Sequence, residues 1–128
     1  VFEGCVNLEK VEIPDTVTNI GQKTFQDCYL LERIALPPKL TAIPFGLFWR
    51  CSRLESVTLP DGITEIGNYA FAECSELTLK KLPGKLTTIG AYAFKNCKGL
   101  KSLQVPAEGI TIGRGAFQGT GIETASDD

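Results

Sequence analysis

The sequence predicts a solenoid of the α/β type, with one short parallel strand per 23-residue coil and little or no regular α-helix. Three observations carry this. Phenylalanines stand at one interval, Phe2, Phe25, Phe48, Phe71, Phe94 and Phe117, with no insertion or deletion between them. Cysteines (Cys5, Cys28, Cys51, Cys74, Cys97), leucines (Leu8, Leu31, Leu54, Leu77, Leu100) and prolines (Pro14, Pro37, Pro60, Pro83, Pro106) keep the same register. Finally, the apolar positions between these columns follow one short grammar. A fixed period in this size range is the signature of stacked supersecondary units, each touching only its neighbours.

Residues 48–70 show that grammar in order: Phe48-x-x-Cys51-x-x-Leu54-x-x-Val57-x-Leu59-Pro60-x-x-Ile63-x-x-Ile66. Around Val57 and Leu59 apolar and polar residues alternate, as in a strand with one buried face. Pro60 cannot donate to a ladder and closes that strand. The pairs Pro14-Asp15, Pro60-Asp61 and Pro83-Gly84 then carry turn chemistry. Beyond the turn, apolar residues recur every third position, which suits short extended or 3₁₀-like segments. The glycines fall mostly at one turn position per coil, where they are expected to serve backbone shape. A single coil cannot cover its apolar residues; stacked coils can.

The frame Leu54-x-x-Val57-x-Leu59-Pro60-x-x-Ile63-x-x-Ile66-Gly67-x-x-Ala70-Phe71-x-x-Cys74-x-x-Leu77 resembles the BspA-type leucine-rich repeat. Ile-Gly recurs at Ile20-Gly21, Ile89-Gly90 and Ile112-Gly113, with Ile43-Pro44 in its place once, and Ala-Phe recurs at Ala93-Phe94 and Ala116-Phe117. The resemblance implies a right-handed leucine-rich-repeat superhelix. It also implies a surface or secreted protein whose repeats bind host matrix proteins or other cells, with no catalytic motif and no cofactor. The expected organisation is one solenoid over residues 1–128, of about five and a half repeats. It starts and stops inside a repeat, as a fragment of a longer protein does. Thr120 replaces the sixth cysteine and Ile122 sits one place early, so the last coil is degenerate.

Several function classes are disfavoured. A net charge of −2 and a pI near 5.2 give no basic footprint for nucleic acid. No apolar run approaches a membrane span. Histidine is absent, removing the commonest general base. The five cysteines are an odd number in one column, with parallel side chains about 4.8 Å apart. That spacing does not suit a bridge and cannot surround a tetrahedral metal, so they read as inert buried thiols. Glu9, Glu32 and Glu55 share an outward column that continues as Thr78 and Lys101, and read as a solvated edge rather than a cation site.

Two surfaces are candidates for binding protein ligands or for flank or end-to-end self-association. The outward strand positions form one: Lys10 and Glu12, Arg33 and Ala35, Ser56 and Thr58, Leu79 and Lys81, Ser102 and Gln104. Apart from Arg33 they lack the Trp, Tyr or Arg anchors of tight interfaces. The other is an aromatic surplus. Phe45 stands where other repeats have Gln22, Asn68, Ala91 and Arg114, and Trp49 where they have Gln26, Ala72, Lys95 and Gln118. Tyr29 and Leu30 replace Ser52 and Arg53. These four residues either form an exposed apolar cluster, which marks interfaces, or fold over a groove left by Pro44. In Leu77-Thr78-Leu79-Lys80-Lys81-Leu82 the frame puts Lys80 inward. An unpaired ammonium there is costly, so a bulge turning Leu79 in and Lys80 out is expected.

Overall fold

The computed structural model describes the main chain of residues 10–11 and residues 13–79, 82–100, 103 and 109–120. Seven short strands are found among them: β1 (Lys10–Val11), β2 (Arg33–Ala35), β3 (Ala42–Ile43), β4 (Ser56–Thr58), β5 (Glu65–Ile66), β6 (Thr88–Ile89) and β7 (Thr111–Ile112). All pair in parallel, in two sheets ordered β1-β2-β4 and β3-β5-β6-β7. Arg33 pairs with Ser56 and Ile34 with Val57; Ile66 pairs with Ile89 and Ile89 with Ile112. Every pairing therefore joins equivalent positions of consecutive repeats. The described residues contain no α-helix, and one 3₁₀ turn at Lys98–Leu100.

The second sheet corrects the expectation of one strand per repeat. Ile43, Ile66 and Ile89 are buried inward, while Glu65 on the same strand faces out. The Thr41-Thr64-Thr87 column just before it adds side-chain support: Thr64 Oγ1 donates to the Thr41 carbonyl at 3.3 Å and Thr87 Oγ1 to that of Thr64 at 3.1 Å. A two-residue strand is too short for alternation to show, so the spacing of three hid it. The turns between the two sheets are as read from the prolines. Leu40, Ile63 and Leu86 each donate N–H to the carbonyl of Pro37, Pro60 and Pro83, at 3.1–3.3 Å.

The core is a set of columns. Phe25, Phe48, Phe71, Phe94 and Phe117 are all at most 1% exposed. Their rings stack in sequence at centroid separations of 5.6, 5.3, 5.1 and 5.3 Å. Beside them Leu31, Leu54, Leu77 and Leu100 are fully buried. Cys28, Cys51, Cys74 and Cys97 are buried, and none of the four is in a disulfide. Their thiols also serve the backbone: Cys51, Cys74 and Cys97 donate S–H to the carbonyls of Phe25, Phe48 and Phe71 in the preceding repeat, at 3.0, 3.1 and 2.9 Å. Thr120 fills the same column with a buried hydroxyl donating to Phe117 O at 2.7 Å. Glu32 is half-buried and Glu55 exposed; Cys5, Glu9 and Lys101 lie outside the described residues. Leu79 is half-buried and packs against the core, in line with its expected inward turn. Lys80 and the expected bulge lie outside the described residues.

Glycine at the Ile-Gly position serves a different purpose from the one expected. Gly67, Gly90 and Gly113 are not among the residues with left-handed φ. A Cβ on Gly67 would lie 2.8 Å from the backbone of Pro44 and Phe45, and one on Gly113 2.5 Å from the Ala91 nitrogen. These glycines let one repeat's backbone close onto the next. Gly90→Ala is expected to cost about 1–3 kcal/mol by forced separation of two repeats. Gly84→Ala, with nothing within 4 Å of its Cβ position, should stay within about 0.5 kcal/mol. Urea melts of both variants check this; equal costs would refute close approach as the reason.

Candidate functional site

The site grows from the segment that bears the phenylalanine column. In residues 67–74, alternate amides have different partners. Ala70, Ala72 and Cys74 donate to carbonyls three residues back, Gly67, Tyr69 and Phe71. Tyr69, Phe71 and Glu73 instead donate to Ala91, Ala93 and Lys95 of the next repeat, at 3.1, 2.7 and 2.7 Å. The same alternation recurs in the repeats on either side, so the amides of residues 69–74 are all satisfied. The geometry needs two left-handed residues per repeat, and these form two columns. One is Lys23, Gly46, Tyr69, Tyr92 and Gly115; the other is Asp27, Arg50, Glu73, Asn96 and Gly119.

Left-handed φ suits glycine and is costly for bulky side chains. Gly46 and Gly115 meet that demand, yet Tyr69 (φ 59°) and Tyr92 (φ 58°) occupy the same column. Their compensation is visible in the ring contacts. Tyr69 stacks on Trp49 with centroids 4.5 Å apart, and Tyr92 stacks on Tyr69 at 5.3 Å. Phe45 sets its ring against Trp49 and against Tyr69, at 5.9 Å in each case. The missing side chain at Gly46 leaves room for the indole, whose Cε3 would lie 3.4 Å from a Cβ there. Three cations sit on this aromatic row: Lys23 over Phe45 at 5.7 Å, Arg50 over Trp49 at 5.4 Å and Lys95 over Tyr92 at 5.6 Å. Such contacts contribute about 0.5–1 kcal/mol each at exposed sites.

The second left-handed column supplies a polar row beside the rings. Arg50 Nε donates to Asp27 Oδ1 at 2.9 Å, and Asn96 Nδ2 to Glu73 Oε2 at 2.9 Å. Members of both rows line an open groove of about 700 Å³. Its walls include Tyr29, Trp49, Tyr69, Arg50, Lys95 and Lys98. Phe45 and Trp49 are half-buried, while Tyr29 is 42% exposed. Among the described residues, no three His, Cys, Asp or Glu side chains gather to hold a metal ion.

The structure thus brings Phe45 and Trp49 into contact and lays Tyr29 along the same groove. Leu30 is half-buried and does not line it. Tyr69 and Tyr92 were not anticipated. They share one column one repeat apart, and that recurrence is the signal the sequence offers. Of the strand-face candidates, Arg33, Ala35, Ser56 and Thr58 are exposed around the buried Ile34 and Val57, and none of them lines the groove. Lys10 is placed by its main chain alone, in β1. Glu12, Lys81, Ser102 and Gln104 lie outside the described residues. No helix among the described residues is long and apolar enough to cross a membrane.

Comparison with known proteins agrees with this architecture. The family described as BspA type leucine rich repeat region matches residues 1–123 in six copies. No curated protein matches the chain. Among solved structures it is similar to a leucine-rich repeat protein from Bacteroides ovatus, with TM-score 0.84 and 32% identity over 93% of this chain and 31% of that one. A leucine-rich repeat protein from Eubacterium ventriosum gives TM-score 0.80 and 36% identity over 91% of this chain and 32% of that one. A leucine-rich cell surface protein from Faecalibacterium prausnitzii gives TM-score 0.70 and 35% identity, over 80% and 27%. The chain therefore spans about a third or less of each of these three structures.

Proposed function

Since the chain belongs to the BspA-type leucine-rich repeat family, we propose that it is a non-catalytic protein-binding module of a cell-surface or secreted protein. In this reading residues 1–128 form one stretch of a longer right-handed solenoid, and its partner is a host matrix or surface protein. The observation that carries the proposal is the aromatic row Phe45, Trp49, Tyr69 and Tyr92, two of whose members stand at left-handed positions that glycine fills in other repeats. Backbone strain kept in place by its surroundings tends to cluster at functional positions. Aromatic residues with an exposed polar edge are also the usual anchors of protein interfaces. The strand face offers Arg33 and Thr58 as a secondary contact, without an aromatic anchor among its described residues.

Binding to a panel of immobilised matrix proteins, compared between the wild type and Phe45→Ser/Trp49→Ser, tests this. The expected result is binding by the wild type and its loss in the variant, with cooperative unfolding kept at a somewhat lower thermal midpoint because Tyr69 loses its ring contacts. Binding that survives the double substitution would move the interface to another face. An absence of binding by both proteins would favour a spacer that only presents other domains.

A further inference from the structure

The chain as a whole is acidic, with 15 acidic and 13 basic residues, but the groove beside the aromatic row is not. Arg50, Lys95 and Lys98 line it, against the single carboxylate of Glu73. That carboxylate already accepts the Asn96 amide. Asp27, just outside the lining, is paired with Arg50. Glu73 and Asp27 are thus engaged within the protein, while Lys98 is exposed on its 3₁₀ turn.

The ring arrangement narrows the ligand further. Stacked at 4.5 and 5.3 Å, Trp49, Tyr69 and Tyr92 cover one another's faces. Lys23, Arg50 and Lys95 lie over rings of the same row. A sugar needs a free ring face to pack on, and this row presents mainly edges. An aromatic edge is the positive end of the ring quadrupole, and the indole N–H and phenol O–H groups project there as donors. Edges, donors and cations together complement carboxylates.

We infer that the groove lined by Trp49, Tyr69, Arg50, Glu73 and Asn96 binds an acidic peptide segment of the partner protein, with Lys95 and Lys98 meeting its carboxylates. This rests on the reading of the flank as the protein-binding face, and it adds the chemical class of what binds. An open groove crossing several repeats suits an extended segment whose acidic side chains meet successive repeats. Because much of the attraction is between exposed charges, it weakens as salt rises.

Trp49 is the only tryptophan of the chain and lines the groove, so its fluorescence reports occupancy directly. The probes are a decaglutamate peptide, a decalysine peptide and a chondroitin sulfate hexasaccharide. Decaglutamate should change Trp49 emission saturably, with affinity falling between 50 and 300 mM salt, and decalysine should not. Lys95→Glu/Lys98→Glu should weaken decaglutamate binding by about tenfold or more, with the melting midpoint kept. A sulfated hexasaccharide that binds more tightly than decaglutamate would overturn the peptide assignment in favour of a glycan. An unchanged affinity in the charge-reversed variant would overturn it as well. The matrix-protein panel separates the two levels. If that binding needs Phe45 and Trp49 but is indifferent to Lys95→Glu/Lys98→Glu, the flank is the interface and the acidic ligand is wrong. If it needs neither pair, both readings fall.

Discussion

Replacing Phe71 by alanine should lower the free energy of unfolding by about 4 kcal/mol, within the usual range for a buried phenylalanine. Phe71 is fully buried in the middle of the ring column and stacks on both sides, on Phe48 at 5.3 Å and on Phe94 at 5.1 Å. Its removal leaves a cavity that neighbours cannot fill, because Gly67 and Gly90 already hold adjacent backbones in contact. Two aromatic pairs are lost as well, at about 0.5–1.5 kcal/mol each beyond area burial. The consequence should be more than a lower midpoint. In an array where each repeat touches only its neighbours, a weak central repeat uncouples the two sides. The urea transition should therefore broaden, with a smaller m-value. Cys74, three residues on and buried in the same repeat, should react with a thiol reagent before Cys28 does. Phe117→Ala, which removes a ring with one described stacking partner, Phe94, should cost less. Equal costs for the two, or less than about 1 kcal/mol for Phe71, would mean that the column does not carry the stability.

The same close stacking connects the core to the groove. The segment from Gly67 to Cys74, with its left-handed Tyr69 and Glu73, is fixed by the buried Phe71 and Cys74 and by amide bonds to both adjacent repeats. Tyr69 is thereby held in a conformation it would avoid in isolation. A ligand meeting this surface has little side-chain ordering left to impose, which favours affinity.

What was legible in the sequence followed from invariance between repeats. Phe71, Cys74 and Leu77 recur because their positions are buried identically in every repeat, so their columns declared the core and the strand at Val57. Comparing columns also picked out Phe45 and Trp49, since nothing in the frame demands an aromatic there. Features set between repeats were harder to read. The pairing of Ile66 with Ile89 is two residues long and leaves no alternation. The contact of the Gly90 position with the backbone of Gly67 and Asn68 is a distance between chain segments, and spacing alone suggested a turn instead. Tyr69 was obscured because left-handed φ is a backbone property. With Lys23 and Gly46 in its column, no side-chain pattern announces it.

Alkaline pH should destabilise this protein through two buried thiols, Cys51 and Cys74. The neighbouring Cys28 side chain, reinforced by burial, pushes the Cys51 thiol far above its ordinary value of 9.0. Burial, reinforced by Cys97, does the same to Cys74. In the folded state both stay protonated, donating to Phe25 O and Phe48 O. In the unfolded chain both ionise near the ordinary value. Above that value the unfolded state binds fewer protons than the folded state, so stability falls as pH rises. The thiols' contribution is complete below about pH 9 and is lost above it at about 1.4 kcal/mol per pH unit for each thiol. Between pH 9 and 10.5 the pair should remove about 3 kcal/mol, a large share of the roughly 5–15 kcal/mol typical of a folded domain. Urea midpoints measured at half-unit intervals from pH 7 to 10.5 should be flat and then drop. Cys51→Ala/Cys74→Ala should start lower at pH 7, because two small cavities open and the Phe25 and Phe48 carbonyls each lose one of two donors. Its alkaline slope should nevertheless be shallower than that of the wild type by nearly 3 kcal/mol per pH unit. Identical slopes in the two proteins would assign the alkaline loss to other groups. The column of buried S–H donors would then be neutral in the pH dependence of folding.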